Sequence, residues 1–78
     1  MAQIDVENFD RLDKQRNILH DKVYATYTTF DSSNKHYLQI DTYGRSNRNC
    51  PGKISQSIQL DKNSAILLYN LLKKEFDL

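Results

Sequence analysis

The stretch "KHYLQIDTY", residues 35–43, decides the fold because its side chains alternate almost without fault between polar and apolar. A period of two is typical of a β-strand with one face on a hydrophobic core. We predict that Leu38 and Ile40 point into that core. The opposite, outward face then carries polar and aromatic side chains: Tyr37, Gln39, Asp41 and Tyr43.

The segments on either side of this strand complete a small sheet. "KVYATYTTF" (22–30) is rich in β-branched and aromatic residues, and the polar turn "DSSN" joins it to 35–43 as an antiparallel hairpin. "KISQSIQL" (53–60) repeats the alternation and is predicted to be a third strand. Its inward residues are Ile54, Ile58 and Leu60, and its outward residues are Lys53, Ser55, Ser57 and Gln59.

Two helices are predicted at the ends of the chain. Residues 61–76 begin with Asp61 as an N-cap and end with basic side chains that suit the helix dipole. Residues 6–19 have a thinner apolar stripe at helical spacing, and the alternative is a tail that only a partner orders. The expected fold is therefore a single α+β domain, 1–78: a small antiparallel sheet of three or four strands packed by a C-terminal helix, with a short N-terminal helix.

The C-terminal helix has more apolar surface than a small sheet can cover. Its apolar side chains span roughly 260° at about 100° per residue, whereas packing on one side needs a stripe of a little over 100°. We predict that the surplus forms a homodimer interface. The interface residues are expected to be Ile66, Leu67, Tyr69 and Leu71. The alternative is that Ile66 or Leu67 packs on the N-terminal helix of the same chain.

Length and composition restrict the protein class. With 78 residues and one cysteine, the chain forms one small domain without an internal disulfide, so self-association is the expected support. No apolar run resembles a signal peptide or a membrane span, and a cytoplasmic location is expected. The net charge is only +1, but residues 42–60 contain no acid while Arg45, Arg48 and Lys53 are basic.

Motifs for catalysis or metal binding do not fit. Gly52-Lys53 fails the P-loop pattern because Asn47 replaces the first glycine and Ile54 follows the lysine. Cys50 has no identifiable base, and its spacing from His20 and His36 matches no local metal-ligand pair. We expect no enzyme activity, no cofactor and no metal.

Nucleic-acid binding is the function that the residues favour. Single strands bind to basic grooves that carry aromatic rings for base stacking. The predicted contacts are Arg45, Arg48, Lys53, Tyr37, Tyr43, Gln39, Ser55 and Ser57. An ordinary solvated sheet face is one alternative. Another is a protein-binding inhibitor or regulatory module that docks through the acidic N-terminal helix or the tyrosine-bearing face.

The chain also resembles the positive-cofactor-four family of single-stranded DNA-binding proteins. The resemblance rests on "YLQID" (37–41), "PGK" (51–53), "SIQL" (57–60) and the helix 61–76, about half of the chain. It implies a curved sheet backed by a helix, a dimer formed through that helix, and single-stranded DNA on the sheets and basic loops. Carried over by position, the phosphate contacts are Arg45, Arg48 and Lys53, and the stacking residues are Tyr37 and Tyr43.

The chain departs from that family's pattern by three extra residues, 54–56, and by the absence of tryptophan. The string "YLQIDTYGR…PGKISQSIQ" is also similar to one in short uncharacterised bacterial and phage-borne proteins. That second resemblance implies a regulator, or an inhibitor of a host defence system.

Overall fold

Four β-strands and one α-helix form the regular structure of residues 1–44 and 52–78, which are the residues that the computed structural model describes. The strands lie in one sheet of spatial order β1-β4-β3-β2. This confirms the predicted α+β fold. The elements are β1 (Ala2–Gln3), β2 (Ala25–Ser32), β3 (Lys35–Thr42), β4 (Gln56–Leu60) and α1 (Lys62–Phe76), with a 3-10 turn at Val6–Asn8.

The β2–β3 hairpin is tighter than the four-residue turn predicted from "DSSN". The strands pair in antiparallel register from Ala25 opposite Thr42 to Ser32 opposite Lys35. Only Ser33 and Asn34 remain for the turn, with φ angles of 50° and 65°. Positive φ at both central residues defines a type I′ turn, whose twist matches that of the flanking strands. The strand predicted over 22–30 therefore runs from 25 to 32.

Strand β4 pairs with β3 in antiparallel register, with Leu38 opposite Leu60 and Ile40 opposite Ile58. It begins at Gln56 rather than at residue 53, although the Ser55 amide still donates to the Thr42 carbonyl at 2.7 Å. Ile54 precedes the strand and is exposed, so its predicted inward position is corrected. The alternation of polar and apolar residues therefore begins at residue 53, three residues before the strand itself begins.

The N-terminal segment contains a short fourth strand before the residues that were predicted to be a helix, and that helix does not form. Ala2 and Gln3 pair in parallel with Ile58 and Gln59, and the Ile4 amide donates to the Gln59 carbonyl at 2.9 Å. The helix predicted over 6–19 is corrected to the 3-10 turn, and residues 9–24 have no helix or strand. An isolated helix of this length is marginal in water without a packed face, and the residues from 10 to 23 are exposed.

The hydrophobic core is small and lies where β4 meets α1. Leu60 is the buried hydrophobic residue among those described, and it lines a shallow cavity with Leu38 of β3 and Ala65 of α1. On its other side, α1 contacts the 3-10 turn, and Leu67 and Leu71 line a groove with Phe9. Leu67 therefore lies near the N-terminal segment of its own chain, as the alternative to the dimer interface expected.

Helix α1 begins at a complete capping box. The Ser64 amide donates to Oδ1 of Asp61 at 2.9 Å, and the Asp61 amide donates to Oγ of Ser64 at 3.0 Å. Ser64 is fully buried, so these bonds are shielded from water. The helix ends at Asp77 in the left-handed conformation, with φ of 55°. The sequence prediction of 61–76 thus agrees with the structure to within one residue.

The capping box predicts a specific acid sensitivity. The hydrogen bonds from the Ser64 amide and then the Ser64 hydroxyl lower the pKa of Asp61 below its ordinary value of 3.8. Because the folded-state pKa is the lower one, the cap contributes its full stability above pH 3.8 and loses it as the pH falls through the folded-state pKa. We expect Asp61→Asn, which caps without ionising, to flatten this part of the profile.

Thermal melts between pH 2 and pH 5, on the order of one unit either side of an aspartate pKa, measure this effect. Asp10→Asn is the control, because Asp10 is an exposed carboxylate outside the regular elements. Identical profiles for the wild type and Asp61→Asn would contradict the assigned role of the cap.

Candidate functional site

The register of the sheet sorts its side chains into two surfaces. Paired residues share a face, and successive residues of a strand alternate between faces. We call one surface the polar face: Gln3, Thr26, Thr28, Phe30, Ser32, Lys35, Tyr37, Gln39, Asp41, Ser57 and Gln59, with Tyr24 and Tyr43 next to Thr26 at its end. We call the other the apolar face after its apolar members: Ala2, Ala25, Tyr27, Leu38, Ile40, Ile58 and Leu60. It also carries Thr29, Asp31, His36, Thr42 and Gln56.

A hydrogen-bonded network centred on Asp41 occupies the middle of the polar face. Nε2 of Gln39 donates to both carboxylate oxygens of Asp41, at 2.9 and 3.2 Å, and Oγ of Ser57 donates to Oδ1. Asp41 is 5% exposed and Ser57 is 8% exposed. Both residues therefore lie on the face that was predicted to be outward, but they are buried there rather than exposed. A buried carboxylate is tolerated here because three donor contacts replace its hydration.

The network continues across the sheet through glutamine side chains. Nε2 of Gln59 donates to Oε1 of Gln39 at 2.8 Å, and Gln3 lies beside Gln59 in the register of β1 and β4. These amides, with Ser57, line an open cleft of about 370 Å³ whose remaining lining residues are Met1 and Ala2. The lining combines uncharged amides and a hydroxyl with the apolar side chains of Met1 and Ala2, so the cleft offers a ligand both hydrogen bonds and apolar contact.

Aromatic pairs lie at both ends of the polar face. Tyr24 and Tyr43 have ring centroids 5.3 Å apart, and Phe30 and Tyr37 stack at 5.4 Å with an interplanar angle of 19°. The hydroxyl of Tyr43 also lies 3.0 Å from Oγ1 of Thr26. Tyr37 and Tyr43 are six residues apart, about 20 Å along an extended strand. The amide cleft is therefore bracketed by rings.

The accessible charge of the polar face is positive among the described residues. Lys35 is exposed at the hairpin end, whereas the carboxylate of Asp41 is buried and paired. At the opposite end, Lys53 is exposed just before β4. The exposed ion pair of His36 with Asp31, at 2.6 Å, alternates to the other side of the hairpin. A ligand on the polar face therefore meets no exposed carboxylate of the sheet.

The structure brings four of the predicted contact residues together on this face: Tyr37, Gln39, Tyr43 and Ser57. Ser55 and Lys53 are exposed and precede β4, while Arg45 and Arg48 lie outside the described residues. Gln3 and Phe30 join the site without having been predicted, because neither β1 nor the extension of β2 to Ser32 is evident from the alternation. The one feature of the sequence that could have indicated Gln3 as a site residue is that it is a glutamine, like Gln39 and Gln59.

The apolar face is only partly covered. Tyr27, Ile40 and Ile58 form one row across three strands and are 76%, 37% and 43% exposed. The helix adds further exposed apolar side chains, which include three of the four predicted interface residues: Ile66, Tyr69, Leu71, Leu72 and Phe76. The sheet therefore contributes apolar surface that the sequence prediction assigned to the core.

The described residues contain neither a metal site nor a membrane-spanning helix. Within 1–44 and 52–78, no three His, Cys, Asp or Glu side chains are grouped so that they could hold a metal ion. Cys50 lies outside this part of the chain. None of the described helices has the length and apolar character needed to cross a membrane.

Comparisons with protein-family models, with curated proteins and with solved structures gave no significant match to this chain.

Proposed function

We propose that this protein is a small non-catalytic nucleic-acid-binding protein that binds single-stranded DNA as a homodimer and acts in bacterial or phage regulation or DNA transactions. The observation that carries the proposal is the polar face, where aromatic pairs bracket a row of amides and the one acid of the face is buried. Rings give sequence-tolerant stacking and amides give hydrogen bonds to base edges.

The dimensions of the polar face suit an unpaired strand. The roughly 20 Å between Tyr37 and Tyr43 accommodates a few extended nucleotides, so bases at the two ends can stack while those between reach the amides. A duplex presents its bases edge-on within grooves and cannot stack them on these rings. Single strands are therefore the preferred ligand.

Basic side chains at both ends of the face supply the phosphate contacts of the proposal. Lys35 is two residues from Tyr37 on the same face of β3. After the hydrogen bonds from Ser64, its nearby charge also helps to lower the pKa of the Asp61 carboxyl. Lys53 is exposed in the segment before β4. The sequence continues from Tyr43 directly into the segment that contains Arg45 and Arg48. Contacts of this kind release counterions, so binding is expected to weaken steeply with salt.

Self-association is the proposed support for this small core. The chain exposes 7445 Å² of surface, whereas a compact monomer of 9.2 kDa exposes about 4,900 Å². The extended segment 10–24 and the open apolar side chains both contribute to this excess. A standard interface buries about 1,600 Å² in total, which the excess exceeds. A second copy of the chain seated on the apolar face and on α1 is therefore the proposed partner.

Anisotropy titrations with a labelled oligo-dT at about 50 and 200 mM salt test the DNA-binding proposal. We expect Arg45→Gln, Arg48→Gln and Lys53→Gln together to weaken binding at the lower salt by about tenfold or more. The slope of log K against log salt concentration should fall by the share of up to about three phosphate contacts. The reason is the loss of three cations from the part of the sequence that connects Tyr43 to β4.

The matched control replaces three cations of α1, Lys62, Lys73 and Lys74, by glutamine. It changes the net charge by the same amount but leaves the polar face intact. Absence of wild-type binding at low salt, or an equal loss in both triple variants, would reject the proposed interface.

A protein-binding inhibitor or regulatory module is the second candidate, directed for example at a host defence complex. The observation that favours it is the segment 10–24, which has no regular structure and exposes Leu12, Ile18 and Leu19. Apolar side chains in such a segment can order on a protein partner. Under this hypothesis, replacing Leu12, Ile18 and Leu19 by serine abolishes partner binding. The variant with Arg45→Gln, Arg48→Gln and Lys53→Gln retains it.

A further inference from the structure

The hydrogen-bond network on the polar face has a fixed direction. An ionised carboxylate only accepts hydrogen bonds, so Asp41 requires the NH₂ group of Gln39 to point toward it. The two contacts from Nε2 of Gln39 to Asp41, at 2.9 and 3.2 Å, have this arrangement. The carbonyl oxygen of Gln39 is thereby turned toward β4. The orientation of this amide follows from the chemistry of its neighbour.

The orientation of the Gln59 amide follows from Gln39 in the same way. Oε1 of Gln39 can only accept, so Gln59 presents its NH₂ group to it, at 2.8 Å. The carbonyl oxygen of Gln59 is left over at the end of the chain of donors. Among the described residues, no donor forms a hydrogen bond to it, and Gln59 lines the cleft of about 370 Å³ beside Gln3. Clefts of this volume lie in the range of ligand sites.

We infer that Oε1 of Gln59 is a base-reading acceptor that takes a hydrogen bond from the exocyclic amino group of an unpaired base in this cleft. The inference rests on the proposed function and gives it a base preference. Adenine and cytosine carry an amino group at the edge where guanine carries a carbonyl oxygen and thymine carries a carbonyl oxygen and a methyl group. Two facing carbonyl oxygens repel each other, and an amine facing a carbonyl forms a hydrogen bond.

Comparing oligo-dA with the same oligomer built from purine deoxyriboside tests this inference, because the two differ only in the 6-amino group. We expect wild-type protein to bind oligo-dA about three- to tenfold more tightly, the range of one hydrogen bond. Gln59→Met keeps the length of the side chain but removes the acceptor. We expect this variant to bind both oligomers equally.

The matched control is Gln56→Met, a change of the same type in the same strand but on the opposite face. It is expected to keep the wild-type preference for oligo-dA. Equal binding of both oligomers by the wild type, or an unchanged preference in Gln59→Met, rejects the base-reading role and leaves the proposed function standing. No binding of either oligomer at low salt rejects both.

Discussion

Asp41→Ala is expected to lower the free energy of unfolding by about 2 kcal/mol, because it leaves two donor groups without an acceptor. These are the buried hydroxyl of Ser57 and the half-buried Nε2 group of Gln39, which both donate to Asp41. An unsatisfied buried donor costs about 1–3 kcal/mol. A small domain has only a few kcal/mol of net stability, so this change removes much of it. Urea unfolding at a fixed protein concentration measures the loss.

The matched control is Asp31→Ala in the neighbouring strand. Asp31 forms an ion pair with His36, but the side chains are 76% and 68% exposed, and such pairs contribute about 0–1 kcal/mol. Asp41→Asn provides an intermediate case because its amide oxygen still accepts. If Asp41→Ala and Asp31→Ala were equally destabilising, the network would not support the sheet as described.

Ile58→Lys is expected to convert the protein from dimer to monomer. Under the proposed dimer, this side chain lies in the row with Tyr27 and Ile40, and the interface would bury an unpaired ammonium group there. We expect the dissociation constant of the dimer to rise by at least about 100-fold, which corresponds to about 2.7 kcal/mol. Sedimentation velocity over a range of concentrations measures it.

Ile54→Lys is the control, because Ile54 is 41% exposed and Ile58 is 43% exposed, yet Ile54 lies outside the sheet. Only the change in the sheet is expected to dissociate the dimer. Ile66→Lys on α1 then tests whether the helix belongs to the same interface. A wild-type protein that sediments as a monomer at every concentration would reject the proposed dimer and leave the apolar row without this partner.

The pattern of residues within each segment predicts the β2–β3 hairpin and the C-terminal helix well. Both depend on interactions between residues close in the chain: the alternation of 35–43, the turn before it, and the capping box of Asp61 and Ser64. The N-terminal segment is different. The thin apolar stripe of 6–19 is typical of a helix that is marginal without a packed face, whereas the strand at Ala2 and Gln3 depends on β4, which is distant in the sequence.

The candidate site is predictable in part for the same reason. Alternation along β3 places Tyr37, Gln39 and Tyr43 on one face without any knowledge of the tertiary structure. It does not reveal which face is buried. Asp41 is buried and Ile40 is 37% exposed, because Ser57 and Gln39 pair the carboxylate while α1 covers only one end of the apolar face.

The amino-acid sequence by itself determines the class of fold, the hairpin, the C-terminal helix with its caps, and the sharing of one face by the tyrosines and glutamines. These follow from side-chain periodicity and from hydrogen bonds within a few residues. The tertiary structure alone decides that Ala2 and Gln3 join β4, that Asp41 is buried, and that the apolar row remains open. Each of these three features depends on a group that is distant in the sequence and that satisfies a hydrogen bond or covers a surface. The residues nearby in the chain do not reveal which group that is.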